Sequence, residues 1–577
     1  MATTQDANTT PSTDSRAGND HIAAESVPRS IDNDSTTEEP SYPKGVKLVL
    51  IFLSLCLATL LCALDATIIA TAIPTITSDF NSLNDYSWYN AAYLLTTCAF
   101  QLPYGRAYSI LSTKWTFVSA IAMFEVGSAV AGPAVNSLML IIGRAIQGIG
   151  SAGIFGGAFI IISETTPLEK RSIFTGFLGA TFAIASVVGP LLGGALSDHA
   201  SWRFCFYINL PLGAITLVVV ILCLPPLGKK ESLKGLTWQK IVARFDPVGS
   251  FIIIPSIICL LLALQWGGVT YQWSDPTIIG LLVCFAVTFL AWAGLQVWMG
   301  DNATVSVNVI KRRTVLCANL YMLLGAGAFT IVVFYLPIWF QAIKGGSAFQ
   351  SGIDTLPLIL SLVIASIAAG GGVMLIGYTV PFLLLGTVFV SVGAGSLMTL
   401  QPSSGIGKWL GYQILFGIGV GVSLEQTNIA IQTVLPKELT ASGISLTVFT
   451  RSLAGSIAVA VAQNTFEQSL RSRLNSILPD LDSDLVSGAG ATDLIGSVRE
   501  ASGRSEKVVQ EVLKGYNAAV TKTFLVVLVL GCLTLVPALG VEWKSVKKDK
   551  KNKVKAAKDE ESSVEKEKRG SEGQDSV

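Results

Sequence analysis

Charge is scarce in this chain. Only 14% of its 577 residues are Asp, Glu, Lys or Arg, where a soluble domain carries about 25%. Histidine is scarcer still, with His21 and His199 alone. That removes the ligands of a haem, a His-built zinc site or a His-dependent acyltransferase. No G-x-x-x-x-G-K-[ST] stretch occurs, which excludes ATP hydrolysis by that route, and G-x-S-x-G is absent too. Nine cysteines (Cys56, Cys62, Cys98, Cys205, Cys223, Cys259, Cys284, Cys317 and Cys532) all fall in or beside apolar runs. They read as small buried side chains, not as a disulfide framework. No metal and no cofactor is expected, and enzyme readings start low.

What is present is hydrocarbon. Hydrophobic residues make up 51% of the chain, and charge-poor runs recur at 172–197, 204–228, 247–274, 276–300, 314–343, 355–407 and 521–541. Several exceed the ~20 apolar residues that carry a helix across a bilayer. They do not alternate, as barrel strands would. The fold class expected is an all-α polytopic membrane protein with fourteen spans: 47–73, 86–108, 115–134, 137–161, 172–197, 205–225, 248–267, 276–298, 314–340, 351–373, 378–400, 408–433, 441–463 and 520–541. The uncharged stretch 355–407 is too long for one span, and Gly377-Tyr378 before Pro381 suits a turn at the interface. The polar first 45 residues are expected to be disordered, with no signal peptide.

Lysine and arginine placement gives an orientation. With a cytoplasmic N-terminus, inner loops hold Arg106, Lys114, Lys170, Arg171, Lys229, Lys230, Lys234, Lys240, Arg244, Lys311, Arg312, Arg313 and Lys437. Short outer loops then hold only Arg203, Lys344 and Lys408. An even number of spans returns the C-tail, rich in lysine from Lys544, to the same side, where it suits an anionic leaflet or plain solvent. Sequons at Asn8, Asn33 and Asn302 would all be cytoplasmic and unglycosylated. The polar loop 464–519 would lie outside, and the helical spacing in SLRSRLNSIL and EKVVQEVLKGY predicts a partly helical cap.

The chain repeats itself. A gapless offset of 269 matches Gly148 to Gly417, Ile149 to Ile418, Gly150 to Gly419, Ile162 to Ile431, Pro167 to Pro436 and Glu169 to Glu438. Spans four and twelve then look like twins, so spans 1–6 pair with 9–14 and spans 7–8 are an insertion. The expected organisation is a tail (1–45), a six-helix half (46–228), two inserted helices (246–300), a second six-helix half (313–541) and a charged cytoplasmic tail (542–577). Two parallel-repeat halves are the architecture of a rocking transporter with its site at the repeat interface.

Chemistry then falls to the few charges inside spans: Asp65, Glu125, Arg144, Glu425 and Arg451. Each costs about 2.5–3.5 kcal/mol at mid-bilayer even on the lenient insertion scale, so each needs a partner or a watery cavity. Asp65 lies 18 residues past Lys47, or about 27 Å along a helix, and Pro74 follows. Burial disfavours its charged form and a neighbouring arginine favours it, so an Asp65 that alternates between these surroundings loads and releases a proton. Binding a cationic substrate, or only bonding neighbouring helices, are the other readings. Arg144 precedes the Gly148-Ile149-Gly150 step, where close helix contact would let it reach a carboxylate or form a packing salt bridge. Glu425 sits in a polar patch with Gln426, Thr427 and Asn428 that suits a cavity wall. Glu125 reads as structural. GPLLGG (189–194) reads as a kink that permits close packing.

Together these residues resemble the major facilitator superfamily, specifically its fourteen-span fungal drug:proton antiporters, over roughly 45–541. LDATIIATAIP (64–74) is similar to the family's first-span signature and RAIQGIGSAG (144–153) to its fourth-span motif, whose arginine is implicated in proton transfer. Gly176, Gly189, Pro190, Gly193 and Gly194 fit the fifth-span antiporter motif, with Ala185 where that motif has glycine. WRFCFYINLPLG (202–213) and FYLPIWFQAIKG (334–345) are also typical. The loop between spans two and three departs. After Gly105 come Ser109, Ser112 and Lys114, without the family's Asp, and its partner loop 371–378 has no charge.

The resemblance implies efflux of amphiphilic toxins, drugs or secondary metabolites in exchange for protons, without ATP and without nucleic acid. Alternating access would come from rocking one half against the other. Asp65 would carry the proton and Arg144 tune it. Gln147, Glu425, Gln426 and Asn428 would face substrate, with Trp88, Tyr89 and Tyr93 adding aromatic surface near the outer mouth. The plasma membrane is the expected location, the vacuolar membrane the alternative. A proton-coupled importer of an iron chelate or other solute, or a non-transporting sensor on a carrier scaffold, are the other functions open to the same residues.

Overall fold

In hydrocarbon a backbone must satisfy its own hydrogen bonds, which a helix does within one segment. The computed structural model describes residues 42–547 except 81, 83–84, 86–87, 227–243, 269–270, 301–302 and 478–505. Those residues are helical apart from turns and one isolated bridge, Gly267 to Tyr271. The helices are α1 (Val46–Phe80), α2 (Trp88–Ile110), α3 (Thr113–Ala131), α4 (Ser137–Thr165), α5 (Leu168–His199), α6 (Phe204–Tyr207), α7 (Asn209–Cys223), α8 (Pro247–Trp266) and α9 (Pro276–Met299). The second part of the chain adds α10 (Val307–Ile310), α11 (Arg313–Lys344), α12 (Ala348–Ile376), α13 (Val380–Leu397), α14 (Ile406–Val434), α15 (Lys437–Ile477), α16 (Glu506–Leu533) and α17 (Leu535–Gly540).

Twelve spans among the described residues are long and apolar enough to cross a membrane. The other two expected spans are present as α2 and α3, but they are too polar to meet that standard. Tyrosine, glutamine and arginine dilute α2, and Lys114 and Glu125 dilute α3. Leu222, Phe251, Leu290 and Trp298 all stand more than two-thirds exposed, a surface that lipid solvates and water would not. The expected turn at Gly377 is real: Gly377 caps α12 with φ 88°, and Pro381 lies in the first turn of α13. A left-handed residue there favours glycine. Near the 464–519 loop, α15 runs on to Ile477 and α16 begins at Glu506, so both segments with helical spacing extend membrane helices. The rest of that loop, residues 227–243, both tails' outer parts, His21 and the sequon asparagines Asn8, Asn33 and Asn302 lie outside the described residues.

The repeat has a packing counterpart. A Cβ added at Gly150 would collide with the backbone N of Phe124, and one at Gly419 with that of Val390. Likewise Gly148 is pressed on Tyr93 and Thr96, and Gly417 on Leu358 and Ser361. Gly127 meets Gln147 as Gly393 meets Phe416. The same close crossings are therefore made twice. The segment between them has its own anchor. Asp246, fully buried, takes φ 50° and accepts from Gly249 N (2.7 Å), Gln296 Nε2 (2.8 Å), Thr304 N (3.0 Å) and Thr304 Oγ1 (2.7 Å). It caps α8, ties it to α9 and fixes the following linker. The α8–α9 pair packs on α2 and α15 through Ile253, Ile257, Leu261 and Trp292 against Ala91, Leu95 and Phe449.

The two halves meet most tightly at one end, where the lysines and arginines gather. There a Cβ at Gly370 would come within 2.6 Å of Ser172 O and one at Gly176 within 2.8 Å of Ser366 O, while Gly105 is pressed on Ser445. Arg171 adds a link across the seam, donating to Gln432 Oε1 at 3.1 Å. A Cβ at Gly352, near the opposite end, would stand 3.7 Å from Leu191. The loop between spans two and three, which departs from the family pattern, bonds within the N-half: Ser109 donates to Arg106 O and Lys114 to Ile221 O. The turn at 371–378 is covered by the chain's own later segment, with Val546 N bonding Gly377 O at 2.8 Å and Lys547 bonding Leu375 O.

Crowding of this kind is testable. Gly419→Ala should lower the unfolding temperature in detergent, at a cost of about 1–3 kcal/mol for overpacking. Gly194→Ala, where no atom lies within 4 Å of the added carbon, should leave it unchanged or slightly raised.

Candidate functional site

Among the described residues two ion pairs are buried in the helical body. The first is in the N-half, where α1, α3, α4 and α7 meet. Asp65, near the middle of α1, is fully buried. Arg144 Nη1 contacts its Oδ2 at 2.5 Å. Gln147 Nε2 and Asn209 Nδ2 donate to Oδ1 at 3.0 and 2.9 Å. The donors are tied together. Arg144 Nη1 also donates to Gln147 Oε1 (3.1 Å), and Ser128 Oγ accepts from Gln147 (2.8 Å) and Asn209 (3.2 Å). Arg144 Nε donates to Tyr89 O at 2.9 Å, and the guanidinium lies 4.4 Å from the centre of the Tyr93 ring. The aromatic face adds a cation–π attraction that is stronger away from water.

This arrangement answers the cost of charge in hydrocarbon. Two opposite charges at contact, each with further hydrogen bonds, offset a desolvation penalty of several kcal/mol per ion. The geometry depends on local sequence. Arg144 and Gln147 are three apart and share a face of α4, and Gly143 and Gly148 let that face approach Ala131 and Tyr93. The antiporter-motif residues lie beside it. Gly189 is pressed on Thr67 and Gly193 on Ile68 O, and Pro190 O accepts from Thr71 at 3.2 Å. They seat α5 against α1 within two turns of Asp65. Gly176 works elsewhere, at the seam with α12, and Gly194 makes no close approach.

The second site lies on the seam between halves. Arg451 on α15 pairs with Glu425 on α14 at 2.8 Å, and its guanidinium lies 5.0 Å from the Phe182 ring of α5. Gly179 of α5 faces Glu425, where a Cβ would stand 2.9 Å from Oε1. A cavity of about 10 Å³ opens here, lined by Phe182, Phe329, Leu362, Leu424, Glu425 and Arg451 among others. It holds roughly one water molecule. Gln426 and Asn428 flank the pair on α14. Gln426 leaves both amide ends without a partner, and Asn428 reaches Glu425 only at 3.5 Å.

The sequence expectations divide accordingly. Asp65, Arg144 and Gln147 come together, but Gln147 belongs to the Asp65 cluster and not to the cavity. Glu425 lines the cavity; Gln426 and Asn428 are buried beside it without lining it. Trp88 stacks on Trp266 of α8. Tyr89 and Tyr93, 0% and 1% exposed, offer no surface at a mouth. Tyr89 Oη donates to Ser137 and Tyr93 Oη to Ser151, because α2 turns that face inward onto α4. Sequence reading missed Ser128, Asn209, Gly179 and Phe182. Asn209 alone carried a signal, as an amide within the apolar run 204–228.

Known proteins share this chain's features. The family model described as Major Facilitator Superfamily matches residues 55–459. The chain is 47% identical over 510 residues to the MFS-type efflux pump MFS1 of Arthroderma benhamiae, covering 88% of this chain and 94% of that one. It is 43% identical over 518 residues to the efflux pump aflT of Aspergillus parasiticus (90% and 99% covered). It is also 43% identical over 512 residues to the rubrofusarin-specific efflux pump aurT of Gibberella zeae (88% and 92%). Among solved structures it is similar in fold to the proton:xylose symporter XylE bound to 6-bromo-6-deoxy-D-glucose, with TM-score 0.53, 14% identity, and 87% and 98% of the two chains covered. The human organic anion transporter MFSD10 matches at TM-score 0.53 and 14% identity, with 86% and 100% covered.

The ion pair should behave as a unit in unfolding. Arg144→Ala strands a buried carboxylate and should cost about 3–5 kcal/mol, and Asn209→Ala about 1–3 kcal/mol. Asp65→Ala with Arg144→Ala should cost clearly less than the two separate losses added. Strictly additive losses in a denaturant titration would show that the two side chains do not act together.

Proposed function

The chain belongs to the Major Facilitator Superfamily, and we propose that this transporter exports amphiphilic small molecules, secondary metabolites foremost, in exchange for protons. The observation that carries the reading is the fully buried Asp65–Arg144 pair within a membrane-spanning body. A carboxylate that keeps its charge there needs the guanidinium, and one that takes a proton releases it. Such a group has two states that differ by one proton, which is what coupling to a proton gradient requires.

Export and substrate class are supported by relatives at 43–47% identity that are named efflux pumps, one of them for rubrofusarin. The cavity supports the same class. Phe182, Phe329 and the leucines suit an apolar body, and the Glu425–Arg451 pair suits polar groups on its edge. The fourteen long helices all cross the membrane, α2 and α3 included, with both termini in the cytoplasm and the plasma membrane as location. The basic end is then the cytoplasmic end, and tight glycine contacts across the seam mark a conformation shut on that side. Rocking the halves apart there would enlarge the one-water cavity into a binding chamber.

Flux in inverted vesicles tests this. With an acid lumen and no ATP, a fluorescent amphiphile should accumulate, and Asp65→Asn should reduce accumulation to the level of vesicles lacking the protein. Equal accumulation by both proteins would leave Asp65 without a coupling role. Movement in the opposite direction would indicate an importer.

A further inference from the structure

A second carboxylate stands next to the Asp65 cluster without a partner. Both oxygens of Glu125 on α3 are buried and make no hydrogen bond. Its place follows from two helix faces. Glu125 and Ser128 are three apart on α3, and Asn209 and Gly213 four apart on α7, so each pair shares a face. Asn209 bridges Asp65 and Ser128. One turn along, the missing side chain of Gly213 leaves the room that the Glu125 carboxyl fills, and any Cβ there would collide with Oε1. Glu125 therefore lies about one turn, or ~5 Å, from the cluster. It lies on the side of the basic end, where α3 begins and Lys114 bonds Ile221 O near the end of α7.

We propose that Glu125 holds the transported proton between the Asp65 cluster and the basic end. This rests on the proton-coupled reading above. The argument is one of charge balance. The cluster holds one guanidinium, which contacts Asp65 and not Glu125, and an unpaired ion in hydrocarbon is costly. While Arg144 is committed to Asp65, Glu125 is the neutral acid. When a proton passes from a Glu125 oxygen to an Asp65 oxygen, one O–H bond breaks and one forms. Arg144 then faces a neutral Asp65 and an ionised Glu125. Both states hold one cation and one anion, so the exchange adds no charge to the membrane interior.

The surroundings favour this exchange. Of the groups that titrate or carry charge, α1 presents Asp65 and Cys62, α4 presents Arg144, α2 presents Tyr93 and α6 presents Cys205. The partner helix α7 offers only Asn209, Gly213 and Thr216 on this side. Among the described residues no second cation acts on Glu125.

Infrared spectroscopy of the purified full-length protein tests the proposal without any substrate. At neutral pH a protonated-carboxyl C=O absorption, sensitive to deuterium exchange, should vanish in Glu125→Gln and weaken in Asp65→Asn, where Arg144 faces a neutral side chain and Glu125 becomes the ion. An unchanged unfolding temperature in Glu125→Gln, which is nearly isosteric, would show that the fold is intact. In inverted vesicles the same variant should lose gradient-driven accumulation. An absorption that survives in Glu125→Gln, or accumulation at the wild-type level, would overturn the proposal. Gradient-independent flux in the unaltered protein would instead overturn proton coupling itself, and the infrared result separates the two.

Discussion

Arg144 is buried completely in a body built for hydrocarbon, and Asp65 is the carboxylate that answers its charge. That constraint shapes the N-half. Four helices converge so that Gln147, Asn209 and Ser128 can complete the coordination of two ions that lipid cannot solvate. Convergence at that distance requires small residues at the crossings, and Gly127, Gly143, Gly148, Gly189 and Gly193 stand there. Removing water strengthens each of these bonds and raises the cost of leaving one unmade. The cluster is stable only as a whole, and a proton is the smallest change that alters its charge.

The C-half repeats the helix crossings without repeating the charges. At the offset of 269, Gln413 stands where the first half has Arg144 and Phe416 where it has Gln147. The twin of Gly156 is Glu425, which has moved charge from the interior of a half to the seam. There it faces Gly179 and Phe182 of the other half. Glu425 and Arg451 both belong to the C-half, so rocking the halves changes what faces the pair across the seam and leaves the pair itself in place. The two sites thus suit different tasks, proton exchange in the first and substrate contact in the second.

Much of this was legible in the sequence because apolar runs have one solution in a bilayer. The turn at Gly377 could be placed within an uncharged stretch, since glycine and proline act locally. The ends of α15 and α16 could not, because polar helix beyond the membrane leaves no apolar run to read. Asp65 and Arg144 stood out as lone charges. Their companions did not, since whether Ser128 or Asn209 reaches Asp65 depends on how helices pack and not on spacing within either. Tyr89 and Tyr93 show the same limit. Their position on α2 was clear, but the face they occupy turns towards α4, so they brace Arg144 and the helix core. Asp246 is the sharpest case, a charge in a short linker whose four donors come from Gly249, Gln296 and Thr304, two of these some fifty residues further along the chain.

The central claim is that the N-half carboxyls carry the proton that is exchanged for substrate. The most direct measurement is proton release by purified protein in lightly buffered solution when a transported compound is added. The account predicts release at neutral pH from the unaltered protein and none from Asp65→Asn. Release of equal size from both would contradict it.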